Sequence, residues 1–258
     1  MKLLVLGTLV ALAAATGGAE VRTKTVEYKQ GDAVLEGFLA WDDAVRGPRP
    51  GVLIVHQWMG LTGYEQGRAQ QLAGLGYVAF AVDVYGKGVR PKTTVEAGAL
   101  AGKYKADRAL LRARVNAGLE LLRSSAMVDP KRVAAIGYCF GGTSVLELAR
   151  SGADISGVVS FHGGLDSPDP SAGKNIKAKV LVLHGADDPY NSAKDIAAFQ
   201  QEMRSGGVDW QMISYGGAVH SFTQKEAGND PSKGAAYNEA ADRRSWQAMK
   251  EFFAEILK

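Results

Sequence analysis

The chain has 258 residues, of which 46% are hydrophobic, and this is enough to bury a substantial core in one large α/β domain or two small ones. The formal net charge is +3 at pH 7, and the basic residues are scattered rather than clustered. The composition argues against intrinsic disorder and against a nucleic-acid partner, which would require a concentrated positive patch.

The first residues have the pattern of a signal peptide. Lys2 precedes an apolar run over residues 3–15, and small residues then lead to Ala19. The run is too short to span a membrane, and no stop-transfer pattern follows it. We therefore predict a signal peptide over residues 1–19, a single domain over residues 20–258, export with the periplasm as the expected compartment, and no stable membrane insertion.

Strands and helices are predicted to alternate along the rest of the chain. Alternating polar and apolar residues around Gly31 and Asp32 indicate an antiparallel hairpin, with strands over residues 21–28 and 33–41. Short apolar runs predict further strands over residues 51–56, 77–83, 132–136, 157–161, 178–184 and 210–215. Helices are predicted over residues 64–75, 94–124 with a break near Gly102, 143–150, 192–204 and 235–257. This order predicts an α/β fold with a mostly parallel sheet and helices on both faces.

One short segment between a predicted strand and a predicted helix carries a reactive residue. Gly137-Tyr138-Cys139-Phe140-Gly141 fits the G-x-S-x-G nucleophile elbow, a strained turn that exposes its central residue, with cysteine in place of serine. The N–H groups at the start of a helix stabilise an anion, so they favour a thiolate at Cys139. A lone cysteine is more often a small buried hydrophobe, but the elbow makes a nucleophile the better interpretation.

The numbers of cysteines and histidines limit which disulfides and metal sites the chain can form. One cysteine allows no internal disulfide, and the four histidines lie too far apart in the sequence for the usual zinc-ligand spacings. We therefore predict no metal site and no cofactor.

The partners of the nucleophile should follow it in the chain, acid first and histidine second, each just after a strand. Only His220 satisfies this order. The acid falls in the turn after residues 178–184, where Asp188 is favoured over Asp187 because it completes a Gly-x-x-Asp pattern. Asp187 is expected to accept hydrogen bonds from backbone N–H groups within the turn. Asp188 would orient His220, and His220 would take the proton of Cys139 during attack on a carbonyl.

A developing oxyanion needs two backbone N–H donors. In the elbow class one comes from the residue after the nucleophile, which is Phe140, and one from the loop after an early strand. In residues 56–60 we assign the second donor to Trp58. His56 and His184 are expected to satisfy backbone groups at strand ends.

These residues resemble the dienelactone hydrolase family of α/β-hydrolases. The resemblance rests on Gly-Tyr-Cys-Phe-Gly-Gly at 137–142, Val-Asp-Val-Tyr at 82–85, the segment at 57–60, Gly185 to Asp188 and His-Ser-Phe at 220–222. It spans nearly the whole mature chain. It implies an α/β-hydrolase fold, a Cys-Asp-His triad without a metal, and a small-molecule ester or lactone substrate hydrolysed through a thioester.

The chain departs from the family pattern at two places. Gln57 stands where the founding enzymes have a glutamate that takes part in activating the thiol, and Gln224 stands where they have an arginine that holds the substrate carboxylate. These differences predict an altered substrate preference. The pocket is expected to include Gln57, Tyr85 and Phe222.

Two other functions remain open from the sequence. An exposed thiol of low pKa also suits a redox sensor, although no second cysteine is present to resolve an oxidised thiol. The second alternative is a non-catalytic ligand-binding protein on the same scaffold. A site without catalytic activity, however, has no physical need to keep Cys139, Asp188 and His220 together.

Overall fold

The computed structural model describes residues 20–258, and an eight-stranded sheet lies at the centre of their fold. The predicted signal peptide over residues 1–19 lies outside these described residues. Across the sheet the strands follow the order β1-β2-β4-β3-β5-β6-β7-β8. They cover Val21–Gln30 (β1), Ala33–Asp42 (β2), Arg49–Val55 (β3), Val78–Val82 (β4), Val128–Tyr138 (β5), Gly157–Phe161 (β6), Lys179–Gly185 (β7) and Trp210–Tyr215 (β8).

The sheet is mostly parallel. Only the pairings of β1 with β2 and of β2 with β4 are antiparallel, and the other neighbouring strands run in the same direction. The central strands β4 and β6 are buried along their whole length, which matches their continuous apolar sequences. The predicted α/β class with a mostly parallel sheet is confirmed.

Six helices of the described chain cover both faces of this sheet. They are Gly63–Gly74 (α1), Thr94–Ala106 (α2), Arg108–Ser124 (α3), Phe140–Arg150 (α4), Ala193–Gly206 (α5) and Glu239–Ile256 (α6). Apolar side chains from α2, α3, α4 and α5 form one core with one face of the sheet, and those from α1 and α6 form a second core on the opposite face. No described helix combines the length and apolar character needed to cross a membrane.

Three of the boundaries that differ from the sequence prediction have an identifiable cause, which is a capping residue for two of them and strand pairing for one. The break between α2 and α3 falls at Asp107, whose side chain accepts the Leu110 N–H at 2.9 Å, and not near Gly102. The last helix begins at Glu239 rather than at residue 235, because Asn238 caps it by accepting the Ala241 N–H at 3.1 Å. Strand β5 starts at Val128, since the segment expected to be a turn pairs with Arg49 of β3.

Strand β5 and helix α4 meet with almost no space between their backbones and that of β3. A Cβ added to Gly137 would lie 2.0 Å from the Gly141 carbonyl oxygen, and one added to Gly141 would lie 2.0 Å from the Val55 carbonyl oxygen. Only glycine fits at these positions, and the close approach packs the start of α4 directly against the ends of β5 and β3.

We expect Gly141→Ala to lower the free energy of unfolding by about 2–3 kcal/mol, because the new methyl group meets rigid backbone rather than a flexible side chain. Gly98→Ala in α2 is the matched control. Its Cβ meets nothing within 4 Å, so it should stabilise the protein by about 0.5–1 kcal/mol. Urea denaturation of both variants measures the difference, and equal stabilities would contradict the packing argument.

Candidate active site

Cys139 lies at the turn between β5 and α4. Its backbone has φ 55° and ψ −114°, a left-handed conformation that is unusual for a residue other than glycine. The backbone N–H of Cys139 donates to the Phe161 carbonyl at 3.0 Å, which holds the turn to the end of β6. The side chain is partly exposed and lines a cavity that is described below, as the elbow pattern predicts.

His220 connects the cysteine to a buried aspartate. Its Nδ1 lies 2.8 Å from Asp188 Oδ2, and its ring lies beside the Cys139 thiol. Because Nδ1 faces the carboxylate, Nε2 is the nitrogen available to the sulfur. The other oxygen of Asp188 accepts the Tyr190 N–H at 2.9 Å, which fixes the carboxylate in the β7 turn.

Asp187 lies in the same turn but has a different contact. Its Oδ2 accepts the Gly217 N–H at 2.9 Å and so holds the turn after β7 to the loop after β8. The structure therefore brings Asp188, and not Asp187, to the ring of His220. Asp187 accepts a backbone N–H as predicted, but the donor belongs to the loop after β8 and not to its own turn.

The thiol and the imidazole shift each other's pKa. Burial favours the neutral thiol, but the charge and hydrogen bond of His220, together with the N–H groups of Phe140 and Trp58, lower the pKa of Cys139 below its ordinary value. Burial opposes the charged imidazole, but the Cys139 thiolate and the Asp188 carboxylate raise the pKa of His220. The pair is therefore stabilised as a thiolate and an imidazolium.

Two backbone N–H groups converge on the nucleophile. Those of Trp58 and Phe140 both face the Cys139 thiol and help to lower its pKa, and they are the two positions predicted for oxyanion donors. The N–H of Phe140 is part of the first turn of α4. The N–H of Trp58 belongs to the loop after β3, so its position depends on how that loop is held.

Glu65 holds this loop, and the sequence analysis did not identify it. One oxygen of the buried carboxylate accepts the Gln57 N–H at 3.1 Å, and the other accepts the Thr62 N–H at 2.9 Å. The side-chain oxygen of Gln57 in turn accepts the Met59 N–H at 2.8 Å. The capping-box pattern Thr62-x-x-Glu65 was the available sequence signal, since it predicts a glutamate folded back over the start of a helix.

The remaining strand-end histidines behave differently from each other. His56 Nε2 accepts the Val84 N–H at 3.2 Å, and its Nδ1 donates to the Gln57 carbonyl at 2.6 Å. Burial lowers the pKa of His56 to about 4, so its ring is neutral. His56 thus satisfies backbone groups as predicted. His184 does not, because its Nδ1 has no hydrogen-bond partner among the described residues.

A cavity of about 630 Å³ opens above the Cys139 thiol. Its wall combines loops that follow strands with one side of α2, and the lining residues include Gln57, Trp58, Thr94, Lys105, Tyr190 and Gln224. Gln57 therefore lies where the sequence predicts. The side-chain nitrogen of Gln224 is buried and has no hydrogen-bond partner within residues 20–258.

Two predicted pocket residues do not line this cavity. The Tyr85 ring packs between His56, Phe140 and Tyr104, and its hydroxyl donates to the Trp58 carbonyl at 2.9 Å. Tyr85 therefore supports the loop after β3, which carries Trp58.

Phe222 is the second of these residues. It is fully buried, and its ring packs against Tyr215 and His162. Proximity in sequence to a strand end or to His220 was not sufficient to predict which way these two rings point.

Within the described chain, no group of three or more His, Cys, Asp or Glu side chains is arranged to hold a metal ion.

Comparisons with known proteins agree with this fold. The sequence profile of the dienelactone hydrolase family matches residues 35–257. A solved structure called m3DLH is 39% identical, with a TM-score of 0.89 over 92% of this chain and 99% of its own. A dienelactone hydrolase-like promiscuous phosphotriesterase, P91, from metagenomic libraries is 40% identical, with a TM-score of 0.89 over 93% and 100% of the two chains. A Synechocystis protein that carries the name carboxymethylenebutenolidase is 25% identical over 253 residues, covering 93% of this chain and 99% of the relative.

We expect iodoacetamide to alkylate Cys139 at lower pH than it alkylates an ordinary cysteine, because a lowered thiol pKa keeps the thiolate populated to lower pH. In His220→Ala the labelling profile should move to higher pH, since the charge that stabilises the thiolate is removed. Intact mass against time and pH measures both rates. His184→Gln is the control, and a wild-type profile that rises only near pH 8.5 would contradict the assignment.

Proposed function

This chain belongs to the dienelactone hydrolase family, and we propose that it hydrolyses carboxylic esters or lactones with Cys139 as nucleophile, His220 as base and Asp188 as orienting acid. It is a hydrolase by family membership. The observation that carries the proposal is the single ring of His220, which contacts both the Asp188 carboxylate and the Cys139 thiol. A nucleophile, a base and an orienting group in this relation are the arrangement that acyl transfer requires.

In the acylation step the thiolate of Cys139 attacks the carbonyl carbon and forms a tetrahedral intermediate. The negative charge moves to the former carbonyl oxygen, which the N–H groups of Trp58 and Phe140 stabilise. His220 then gives its proton to the leaving alkoxide as the carbon–oxygen bond breaks, and a thioester on Cys139 remains.

The second step returns the enzyme to its starting state. His220, now neutral, removes a proton from water, and the resulting hydroxide attacks the thioester carbon. The carbon–sulfur bond breaks, the acid product leaves, and Cys139 departs as a thiolate next to the imidazolium. Asp188 stays ionised and fixes the orientation of the ring throughout.

The cavity supports a substrate preference that differs from that of the founding enzymes. Gln224 offers a neutral amide on the cavity wall at the place where the resemblance implied a carboxylate-binding arginine. A neutral amide supplies no positive charge to pair with a carboxylate on the ligand. We therefore propose small or medium esters and lactones without a carboxylate as preferred substrates.

A phosphate triester is a second candidate substrate. The observation in its favour is the 40% identity, over 93% of this chain, to a dienelactone hydrolase-like promiscuous phosphotriesterase. A thiolate attack on phosphorus places negative charge on the phosphoryl oxygen, which the same two N–H groups can accept. Hydrolysis of a neutral aryl dialkyl phosphate that requires Cys139 would support this activity.

We also propose that the mature protein is exported to the periplasm. The proposal rests on the signal-peptide pattern of residues 1–19 alone. Fractionation of cells that express the full chain, followed by N-terminal sequencing, tests it. A mature protein that begins at Glu20 in the periplasmic fraction is the expected result, and an uncleaved protein in the cytoplasm would contradict it.

Cys139→Ala should lower kcat/KM for a p-nitrophenyl ester by more than about a thousandfold, because no other nucleophile takes its place. Lys194→Ala, at an exposed position of α5, is the control and should keep full activity. A folded Cys139→Ala variant that retains activity would contradict the nucleophile assignment. A wild type that hydrolyses no ester but forms a stable sulfenic acid would favour the redox function instead.

Gln224→Arg should raise kcat/KM about tenfold for an ester that carries a carboxylate, relative to its neutral methyl-ester analogue, because a charged donor then faces the ligand. Gln201→Arg on the exposed side of α5 adds the same charge away from the cavity and is the control. An unchanged preference in Gln224→Arg would contradict a substrate-selecting role for this position.

A further inference from the structure

His162 is a buried histidine that the proposed hydrolysis does not use. It follows β6, is fully buried, and does not line the cavity. Its backbone has φ 40°, which makes it one of three residues other than glycine with a positive φ among residues 20–258. The other two are Cys139 and Ser221, which is the neighbour of His220. Strained backbone of this kind persists only where the surrounding contacts hold it.

Both ring nitrogens of His162 have hydrogen-bonding partners. Nδ1 accepts the backbone N–H of Cys139 at 3.2 Å, and this N–H is shared with the Phe161 carbonyl at 3.0 Å. Nε2 lies 2.8 Å from the hydroxyl of Thr223. Since Nδ1 faces a donor, it cannot carry a proton, and the proton must be on Nε2. The ring is therefore the neutral Nε2–H tautomer, which donates to Thr223.

Thr223 connects this ring to the loop that carries His220. It lies three residues after His220, and its hydroxyl shares a hydrogen bond of 2.7 Å with the hydroxyl of Tyr64 on α1. The guanidinium of Arg68 donates to the Tyr64 hydroxyl and to the Thr223 carbonyl, each at 3.3 Å. The hydroxyl that His162 contacts is thus itself held by groups on a helix.

We propose that His162 is a positioning residue, which fixes the nucleophile turn at Cys139 to the loop of His220 through its two ring nitrogens. The proposal rests on the proposed function, since it concerns the alignment of the same nucleophile and base. The rings of His162 and His220 lie 5.3 Å apart, so a shift of either segment would change the distance between the thiol and the imidazole. Catalysis by a pre-aligned pair is sensitive to displacements of this kind.

A purely structural role is the alternative. A buried residue that only fills space does not need a hydrogen-bond acceptor on one side of its ring and a donor on the other. Burial moves the pKa of His162 well below the usual histidine range, so the ring keeps this neutral arrangement.

Three substitutions at His162 separate the two roles. His162→Asn places a side-chain oxygen near the position of Nδ1, and asparagine tolerates a positive φ. His162→Gln reaches toward Thr223 but leaves the Cys139 N–H without this acceptor. His162→Phe keeps an aromatic ring and removes both nitrogens. Thr223→Val and Thr223→Ser remove and retain the hydroxyl at the other end of the link.

We expect kcat for a p-nitrophenyl ester to stay within about threefold of wild type in Thr223→Ser. It should fall about tenfold in His162→Asn, His162→Gln and Thr223→Val, each of which loses one contact of the link, and about a hundredfold in His162→Phe, which loses both. KM should change little, because His162 lies outside the cavity. The rate of Cys139 alkylation should fall in the same order. Thermal unfolding of each variant shows whether it is folded at the assay temperature.

If the folded His162→Asn, His162→Gln and His162→Phe variants keep the kcat and the alkylation rate of the wild type, the proposal is overturned. If the variants do not fold, the ¹⁵N spectrum of the wild-type histidines still tests it, because a proton on Nδ1 of His162 is incompatible with the link. If the wild type hydrolyses no ester, the proposed function fails, and the alkylation rates still compare the positioning of Cys139 in each variant.

Discussion

Direct packing of backbone against backbone beneath Cys139 is the constraint on which the site depends. Gly137 and Gly141 have no space for a side chain, since an added Cβ at either would lie 2.0 Å from a carbonyl oxygen. The contact of Gly141 with Val55 at the end of β3 has a second effect. It brings the loop after β3 next to the start of α4, and the N–H groups of Trp58 and Phe140 thereby face the same sulfur.

Burial affects the titratable groups of this site in opposite ways, and the neighbours decide the result. Cys139 and His220 keep opposite charges because each lies beside the other and Asp188 holds the ring. His56 and His162 are equally buried, but each ring has a backbone N–H donor facing one nitrogen, and both remain neutral. His220 differs from both because its Nδ1 faces a carboxylate, that of Asp188.

The sequence predicted the features that follow from local pattern and chain order. Apolar runs gave the strands, the glycines around Cys139 gave the turn, and order along the chain selected His220. Side-chain direction within a loop has no comparable signal, so Tyr85 and Phe222 were assigned to the cavity although they face inward. The helix break falls at Asp107 and not at the predicted Gly102, because a helix interior tolerates a glycine whereas the Asp107 side chain caps a new helix.

The attachment of helix α2 has a consequence for how this scaffold diverges in evolution. The groups around the thiol lie at the ends of strands that are paired within the sheet. Thr94 and Lys105 on the cavity wall belong instead to α2. This helix packs on α3, and the Tyr104 hydroxyl donates to the Tyr85 carbonyl. Mutations on the cavity side of α2 therefore alter the shape and charge of the cavity at little cost to the strand ends. Selection can therefore change the cavity there while the surroundings of Cys139 stay constant.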